Sequence, residues 1–289
     1  MTYYTLALIG SFSFAFEILI SKYLTKYSVK NIWLFNFLYN LFSILMIIPL
    51  NIYLGAKFPE KWLYIFLGGM LWAIGNVLFA FALYNTDISV LTPLFNLKAV
   101  VTTFLGIFLL HEFITSQQIL YITIIIISSM FVTIDERLSF KSFFNKWVLI
   151  IILEIIAFSF SSFFVKKAAF HDSMWTVNLW VGIISMLCYL PTFYFFKNDI
   201  KTINFRQIKY FCLIGLFGAI GFFTSNIAYQ INVSISSVIM AIPISMFLVM
   251  ILSLFKRDLL EYHSVKIYSI RFIFAIFIVF FAAKLILSI

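Results

Sequence analysis

Long apolar stretches, separated by short polar connections, repeat from one end of the chain to the other. They lack the alternation of apolar and polar positions that is typical of a half-buried strand. Because a helix rises 1.5 Å per residue, about 20 apolar residues cross the hydrocarbon core of a bilayer. The pattern predicts ten membrane-spanning helices, at residues 3–23, 31–53, 62–84, 88–110, 117–134, 147–167, 174–196, 208–230, 234–255 and 268–288.

Composition supports this interpretation and excludes several classes of protein. Apolar residues make up 64% of the 289 residues and charged residues only 11%, whereas a soluble domain is about 45–50% apolar and about 25% charged. A soluble enzyme and a disordered chain are therefore excluded. Since unpaired backbone groups are costly in lipid and the spans do not alternate as barrel strands do, we predict an all-α integral membrane protein. We expect it in the cell membrane, as a multi-pass protein.

The net charge of +9 does not change this picture. The basic residues lie almost entirely in the short loops, where they anchor a protein at anionic headgroups. We therefore expect the lipid bilayer as a partner and no nucleic acid. The two cysteines, Cys188 and Cys212, fall inside apolar spans and form no CxxC motif, which favours two buried thiols without a redox or metal role.

The two halves of the chain show an internal repeat. A shift of 146 residues places Gly75 on Gly221, Ala82 on Ala228 and Glu112 on Asp258, and it also places residues 12–14 on 158–160. Each half has five spans, so the second copy must cross the membrane in the opposite direction. The sequence predicts two five-helix repeats, at residues 1–138 and 146–289, in the inverted arrangement found in many secondary transporters.

Residues 82–94, with the sequence ALYNTDISVLTPL, and residues 109–112, with the sequence LLHE, resemble the EamA-type branch of the drug/metabolite transporter superfamily. The second half echoes them with Ala228-Tyr229, Pro243 and residues 254–258, and Lys22 stands where the family often has a lysine. The sequence departs from the family's usual Trp-Gly in the first helix, which is replaced by Phe14-Ala15. The resemblance implies ten helices in two inverted five-helix repeats and the movement of small metabolites, most often outward.

Two indications of orientation conflict. An even number of spans places both termini on one side, and the resemblance implies the inside. Fourteen Lys and Arg residues fall on the side opposite the termini and five on the same side, with Lys98 inside a span. The positive-inside rule then places both termini outside, so the side of the termini stays open.

Three ionisable residues fall within the spans and are therefore candidates for function. Glu17 lies about 21 Å into the first helix, and Lys98 lies about 18 Å into the fourth from the same face. Glu154 lies about 10 Å from the opposite face, which is a similar depth. One interpretation places these groups on a substrate cavity. The other makes Glu17 and Lys98 a neutralising pair that only fixes the packing of helices.

Uncharged polar and aromatic residues form a second layer of candidates. Lining a cavity, they would orient a polar substrate, and between helices they would contribute about 0.6 kcal/mol each. We expect the cavity to be lined by the first, third, fourth, sixth, eighth and ninth helices, with the fifth and tenth at the periphery. The candidates of this layer are Asn40, Trp72, Asn76, Asn96, Asn226 and Tyr229.

Glycines and prolines mark places of close approach or bending. Gly75 and Gly221 permit close contact between helices. Pro93 and Pro243 each remove a backbone donor from equivalent helices of the two halves. Each proline is either a static kink or a gating bend.

The pattern as a whole favours a secondary active transporter that works by alternating access. Its substrate is expected to be a small polar or amphipathic metabolite, similar to an amino acid or an amine, with export favoured. A flippase for a lipid or hydrophobic carrier is the alternative. His111, His171 and His263 lie far apart without metal-site spacing, so we expect no enzyme, metal or cofactor. Protons are a candidate coupling ion, and the protein is expected to be a monomer or homodimer.

Overall fold

The computed structural model describes residues 2–95, 97–110, 113–132, 145–240, 242–256, 259–260 and 265–287. In these ranges the chain is helical and contains no strand. Short 3-10 segments lie at Leu190–Phe195 and Asp199–Thr202. The α-helices are α1 (Tyr3–Tyr27), α2 (Ile32–Tyr53), α3 (Trp62–Asn85), α4 (Ile88–Leu94), α5 (Leu97–Leu110), α6 (Ser116–Val132), α7 (Lys146–Ala169), α8 (Met174–Tyr189), α9 (Phe205–Ile231), α10 (Val233–Met240), α11 (Ile244–Phe255) and α12 (Val265–Leu287).

Membrane-length apolar helices dominate the described part of the chain, which confirms the predicted all-helical membrane class. Within the described residues, 7 stretches are long and apolar enough to cross a bilayer. They are Tyr3–Tyr27, Ile32–Tyr53, Trp62–Asn85, Lys146–Ala169, Met174–Phe195, Phe205–Ile231 and Val233–Ser253.

The predicted helices at 88–110 and 234–255 differ from the structure, because each is broken near its middle. The first is divided into α4 and α5, with a turn at Phe95, and Asn96 lies outside the described residues. The second is divided into α10 and α11, with Pro243 directly before the first residue of α11. Proline has no backbone N–H to continue the helical hydrogen bonds, so a break at this point is expected. The sequence identified the prolines but predicted continuous helices.

Close packing of helices centres on two pairs, α3 with α7 and α1 with α9. A methyl group added at Gly75 would lie 2.6 Å from the Phe158 ring, and one added at Gly221 would lie 2.7 Å from the Phe14 ring. The same contact, an aromatic ring laid on a glycine, therefore occurs in both pairs. In this contact Phe14 of one pair corresponds to Phe158 of the other. The sequence shift of 146 residues instead pairs residue 12 with residue 158. The two rings are therefore offset by two residues from the positions that the 146-residue shift pairs.

Two buried lysines hold the carboxyl-terminal ends of α3 and α9. Lys22 Nζ in α1 donates to the carbonyl oxygens of Leu83, at 2.7 Å, and Thr86, at 2.6 Å. Lys166 Nζ in α7 donates to the carbonyl oxygen of Ile231 at 3.0 Å. The last carbonyl groups of a helix have no partner within it and carry partial negative charge. Both lysines therefore satisfy groups that would otherwise be costly to bury.

Gly215 provides a test of how closely α9 packs on α2. A methyl group there would lie 2.6 Å from the carbonyl carbon of Phe42, whereas one at Gly68 would lie 3.7 Å from its nearest neighbours. Both Gly→Ala changes gain similar helix propensity, but only Gly215→Ala forces two backbones apart. We expect Gly215→Ala to lower the free energy of unfolding by about 1–3 kcal/mol relative to Gly68→Ala. Thermal unfolding of both variants in detergent measures the difference, and equal stability would contradict the packing described.

Candidate functional site

A cavity of about 140 Å³ lies among the middle parts of the helices. Engineered cavities of about 150 Å³ hold a molecule of the size of benzene, so this space accepts a small organic molecule. Both interrupted spans, α4–α5 and α10–α11, contribute residues to its wall. The lining residues are Ser11, Phe14, Ala15, Glu17, Ile18, Tyr39, Trp72, Asn76, Phe79, Thr92, Phe95, Lys98, Phe158, Tyr229, Ser237, Met240, Ile242, Pro243 and Ser245.

Lys98 supplies a positive charge to the cavity wall. It lies in the first turn of α5, directly after the break, and it is only partly buried. Its Nζ donates a hydrogen bond of 3.0 Å to the hydroxyl oxygen of Tyr229 and lies 5.7 Å from the centre of the Phe158 ring. Aromatic faces attract cations at such distances. The ammonium group is therefore oriented, but it retains donors for an anionic ligand.

Glu17 supplies a carboxyl group from α1. Its side chain is 2% exposed, and Tyr39 of α2 lines the same cavity. Its Oε1 atom has no hydrogen-bond partner among the described residues. Gly218 of α9 makes room for this atom, because a methyl group at Gly218 would overlap with Oε1.

Glu17 and Lys98 line the same cavity without forming an ion pair with each other. The neutralising Glu17–Lys98 pair that the sequence offered as an alternative is therefore absent between these two described side chains. Glu154 lies in α7, one helical turn before Phe158, and is 0% exposed. Neither carboxyl oxygen of Glu154 has a hydrogen-bond partner among the described residues. Glu154 lies outside the cavity lining, although the sequence grouped it with the other two.

Aromatic rings form much of the remaining wall. The Trp72 ring lies 4.9 Å from Phe158 and 4.8 Å from Phe222, measured between ring centres. Phe14 and Phe158 lie on Gly221 and Gly75, so these glycines support the wall from behind. The arrangement suits a ligand with an apolar part between two charged groups.

The predicted polar residues are divided between the cavity and the spaces between helices. Asn76 lines the cavity and donates to the Trp72 carbonyl oxygen at 3.0 Å. Asn40 lines a smaller neighbouring pocket, and Asn226 donates to Asn178 Oδ1 at 2.6 Å, outside the cavity lining. Asn96 lies outside the described residues.

The two predicted hinge prolines lie close to the helix breaks. Pro243 lines the cavity between α10 and α11. Pro93 is the penultimate residue of α4, two residues before the turn at Phe95. Each interrupted span, α4–α5 and α10–α11, thus has a proline close to its break.

Two contributors were missed in the sequence analysis. Tyr39 brings α2 into the lining, although the second helix was not named among those expected to line the cavity. Its position next to Asn40 on a helix that also carries Asn36 is the signal that could have identified it. Ser237 of α10 has a buried hydroxyl group without a hydrogen-bond partner among the described residues, and it also lines the cavity. No feature of the sequence indicated that the helix break would place this serine at the cavity.

The helices expected at the periphery contribute no lining residue among those described. α6 and α12 pack against each other, and the rings of Phe131 and Phe274 stack with centres 4.6 Å apart. Within the described part of the chain, no three or more His, Cys, Asp or Glu side chains come together as a metal site would require.

Comparison with known proteins identifies the general activity. Residues 1–134 match the EamA-like transporter family, which confirms the resemblance indicated by the sequence motifs. Together with the apolar helices, this match supports a multi-pass membrane transporter with a small-molecule substrate, and transporters of that family are generally not enzymes. No curated protein matches the chain. A solved structure, described as the crystal structure of a protein, is 16% identical to this chain in sequence. It has a TM-score of 0.66 and the match covers 99% of both chains. At that identity the similarity shows the fold alone.

The separation of Glu17 from Lys98 predicts how their substitutions combine. In a double-mutant cycle, Glu17→Gln and Lys98→Met should change the free energy of unfolding almost additively, within about 0.5 kcal/mol. Glu154→Gln and Lys98→Met should show a larger coupling energy, because Lys98 Nζ lies over the Phe158 ring, one helical turn from Glu154 in α7. Thermal unfolding of the single and double variants measures both couplings. A large coupling for Glu17 with Lys98 would mean that these two groups are paired.

Proposed function

We propose that the protein transports a small zwitterionic metabolite, similar to an aliphatic amino acid, by alternating access. The observation that carries the proposal is that Glu17 and Lys98 face one aromatic cavity of about 140 Å³ without pairing with each other. Ionisable groups in membrane spans are costly and mark substrate pathways. Lys98 would bind the carboxylate of the substrate, Glu17 its ammonium group, and the aromatic wall its apolar part.

We further propose ten membrane crossings in two inverted repeats, at residues 1–138 and 146–289. The matched contacts of Gly75 with Phe158 and Gly221 with Phe14 support this arrangement. So does the occurrence of one broken helix in each half, α4–α5 and α10–α11. In inverted-repeat transporters, discontinuous helices form the substrate site at the midplane, and one repeat rocks against the other. Pro93 and Pro243 would then serve as the bending points.

The direction we propose is export from the cell, as the family resemblance implies. Monomeric and homodimeric forms of the protein are both compatible with such a site, because the cavity lies within one chain. The small volume and the two charged groups fit a compact polar substrate better than the large apolar carrier that a flippase moves. Protons are a candidate coupling ion, and Glu17 is the cavity carboxyl group that could bind one.

Transport by purified protein in proteoliposomes tests the substrate class. We expect faster uptake of leucine than of 3-methylbutylamine, which lacks the carboxylate, or 4-methylpentanoate, which lacks the amine. A charge-assisted hydrogen bond contributes about 1.5–3 kcal/mol, so losing one partner should reduce affinity about 10–100-fold. Lys98→Met should therefore reduce the affinity for leucine but leave the affinity for 3-methylbutylamine unchanged. Glu17→Gln should reduce the affinity for leucine but leave the affinity for 4-methylpentanoate unchanged.

Ser162→Ala is the matched control, because the Ser162 hydroxyl donates to the Phe158 carbonyl in its own helix and lies outside the cavity lining. This variant should transport leucine as the unchanged protein does. Equal rates for all three compounds, or full leucine uptake by both charge variants, would refute the proposed site.

A further inference from the structure

A second pocket, of about 30 Å³, adjoins the cavity on the other side of Glu17. It lies where α1, α2, α8 and α9 meet, and its polar lining comes from Glu17, Tyr39, Asn40, Ser43 and Ser185. A space of this volume holds about two water molecules or one small ion. It shares Phe14, Glu17, Tyr39 and Trp72 with the larger cavity.

The unpartnered Oε1 atom of Glu17 faces this second pocket. Gly218 and Ser43 line the second pocket but not the larger cavity. A methyl group at Gly218 would lie 3.0 Å from Ser43 Oγ and would overlap with Glu17 Oε1. The carboxyl and hydroxyl oxygens thus flank the same gap, which exists because residue 218 has no side chain.

Three polar side chains of the pocket already use their donors in hydrogen bonds within their own helices. The Ser43 hydroxyl donates to the Tyr39 carbonyl oxygen at 2.9 Å, and the Ser185 hydroxyl donates to the Gly182 carbonyl oxygen at 2.8 Å. Asn40 Nδ2 donates to the Asn36 carbonyl oxygen at 2.8 Å. The oxygens of these three side chains and Glu17 Oε1 retain lone pairs, and oxygen is the ligand type that hard cations prefer.

From this arrangement we propose that the second pocket binds a monovalent cation of the size of Na⁺, with Glu17, Ser43, Ser185 and Asn40 as its oxygen ligands. A single carboxylate balances a single positive charge, whereas a divalent ion would leave a net charge that is costly to bury in a membrane protein. The small volume favours Na⁺ over the larger K⁺.

The position of Glu17 between the two spaces connects the ion to the substrate. One carboxylate cannot neutralise both a sodium ion and a substrate ammonium group, so each weakens the binding of the other. Such competition produces exchange, in which Na⁺ entering the cell drives the substrate out. This coupling role rests on the proposed transport function, but the ion site itself does not.

Thermal unfolding of the full-length protein in detergent tests the ion site directly. Samples in NaCl, KCl and choline chloride at equal ionic strength are compared. A ligand that binds only the folded state raises the midpoint of unfolding as its concentration rises. We expect a saturable rise of about 3–5 °C with Na⁺, a smaller one with K⁺ and none with choline.

Variants assign the effect to the pocket. Ser43→Ala and Ser185→Ala each remove one ligand oxygen and should raise the half-saturating Na⁺ concentration about tenfold or more. Glu17→Gln should abolish the response, and Ser162→Ala should leave it unchanged. If one serine variant does not fold, the other still tests the site. Equal midpoints in all three salts, or an unchanged Na⁺ response in Glu17→Gln, would overturn the proposal.

A transport experiment separates the ion site from the transport function. We expect an inward Na⁺ gradient to accelerate leucine efflux from proteoliposomes, with no comparable effect of a pH gradient. Leucine transport that ignores Na⁺ would refute the ion's coupling role and leave the proposed function intact. Na⁺ stabilisation without transport of any of the three compounds would refute the proposed function and leave the ion site intact. Acceleration by the pH gradient alone would identify protons as the coupling ion and overturn the sodium role.

Discussion

The absence of an ion pair between Glu17 and Lys98 is the constraint on which the rest of the site depends. Two opposite charges in a membrane protein normally lower their cost by pairing. Here Lys98 donates to the neutral hydroxyl group of Tyr229 instead, and Glu17 Oε1 has no hydrogen-bond partner among the described residues. Glu17 and Lys98 both line the aromatic cavity. Because they do not pair with each other, each remains able to attract the opposite charge of a ligand that carries both charges.

The surrounding helices maintain this separation by simple steric means. Gly218 makes room for the carboxyl group of Glu17 beside α9. The break between α4 and α5 places Lys98 in the first turn of a new helix, where its side chain contacts Tyr229 and Phe158. The position of Lys98 depends on this break, because in one unbroken helix the direction of residue 98 would follow from that of residue 92.

Much of the fold was predictable because lipid imposes a strict rule on hydrophobic length. The all-helical class, the positions of the longest helices and the resemblance of the first half to EamA-type transporters followed from apolar runs and a few motifs. The helix breaks were not predicted, since a proline in an apolar run is compatible with a kinked but continuous helix. The two-residue displacement relating Phe14 to Phe158 was also beyond the sequence, because weak matches at one shift do not define the register of each helix.

The kinds of residue that form the site could be predicted from the sequence better than their arrangement in space. Glu17 and Lys98 stood out as charges in apolar spans, but sequence depth alone could not distinguish a shared cavity from a direct pair. Glu154 has the same sequence signal and lies behind the wall, because the face of a helix that a residue occupies depends on how the helix is rotated in the bundle. Tyr39 was overlooked because a tyrosine in an aromatic-rich helix resembles ordinary packing.

Phe14 and Phe158 lie between a glycine and the cavity, and this arrangement has a consequence for how substrate range can change. A side chain of any size at position 75 or 221 would push the ring in front of it inward and narrow the space. Selection for a smaller or larger cargo can therefore act on residues that never meet the cargo. Replacements at these two positions provide a route by which relatives with unchanged charged groups diverge in what they carry.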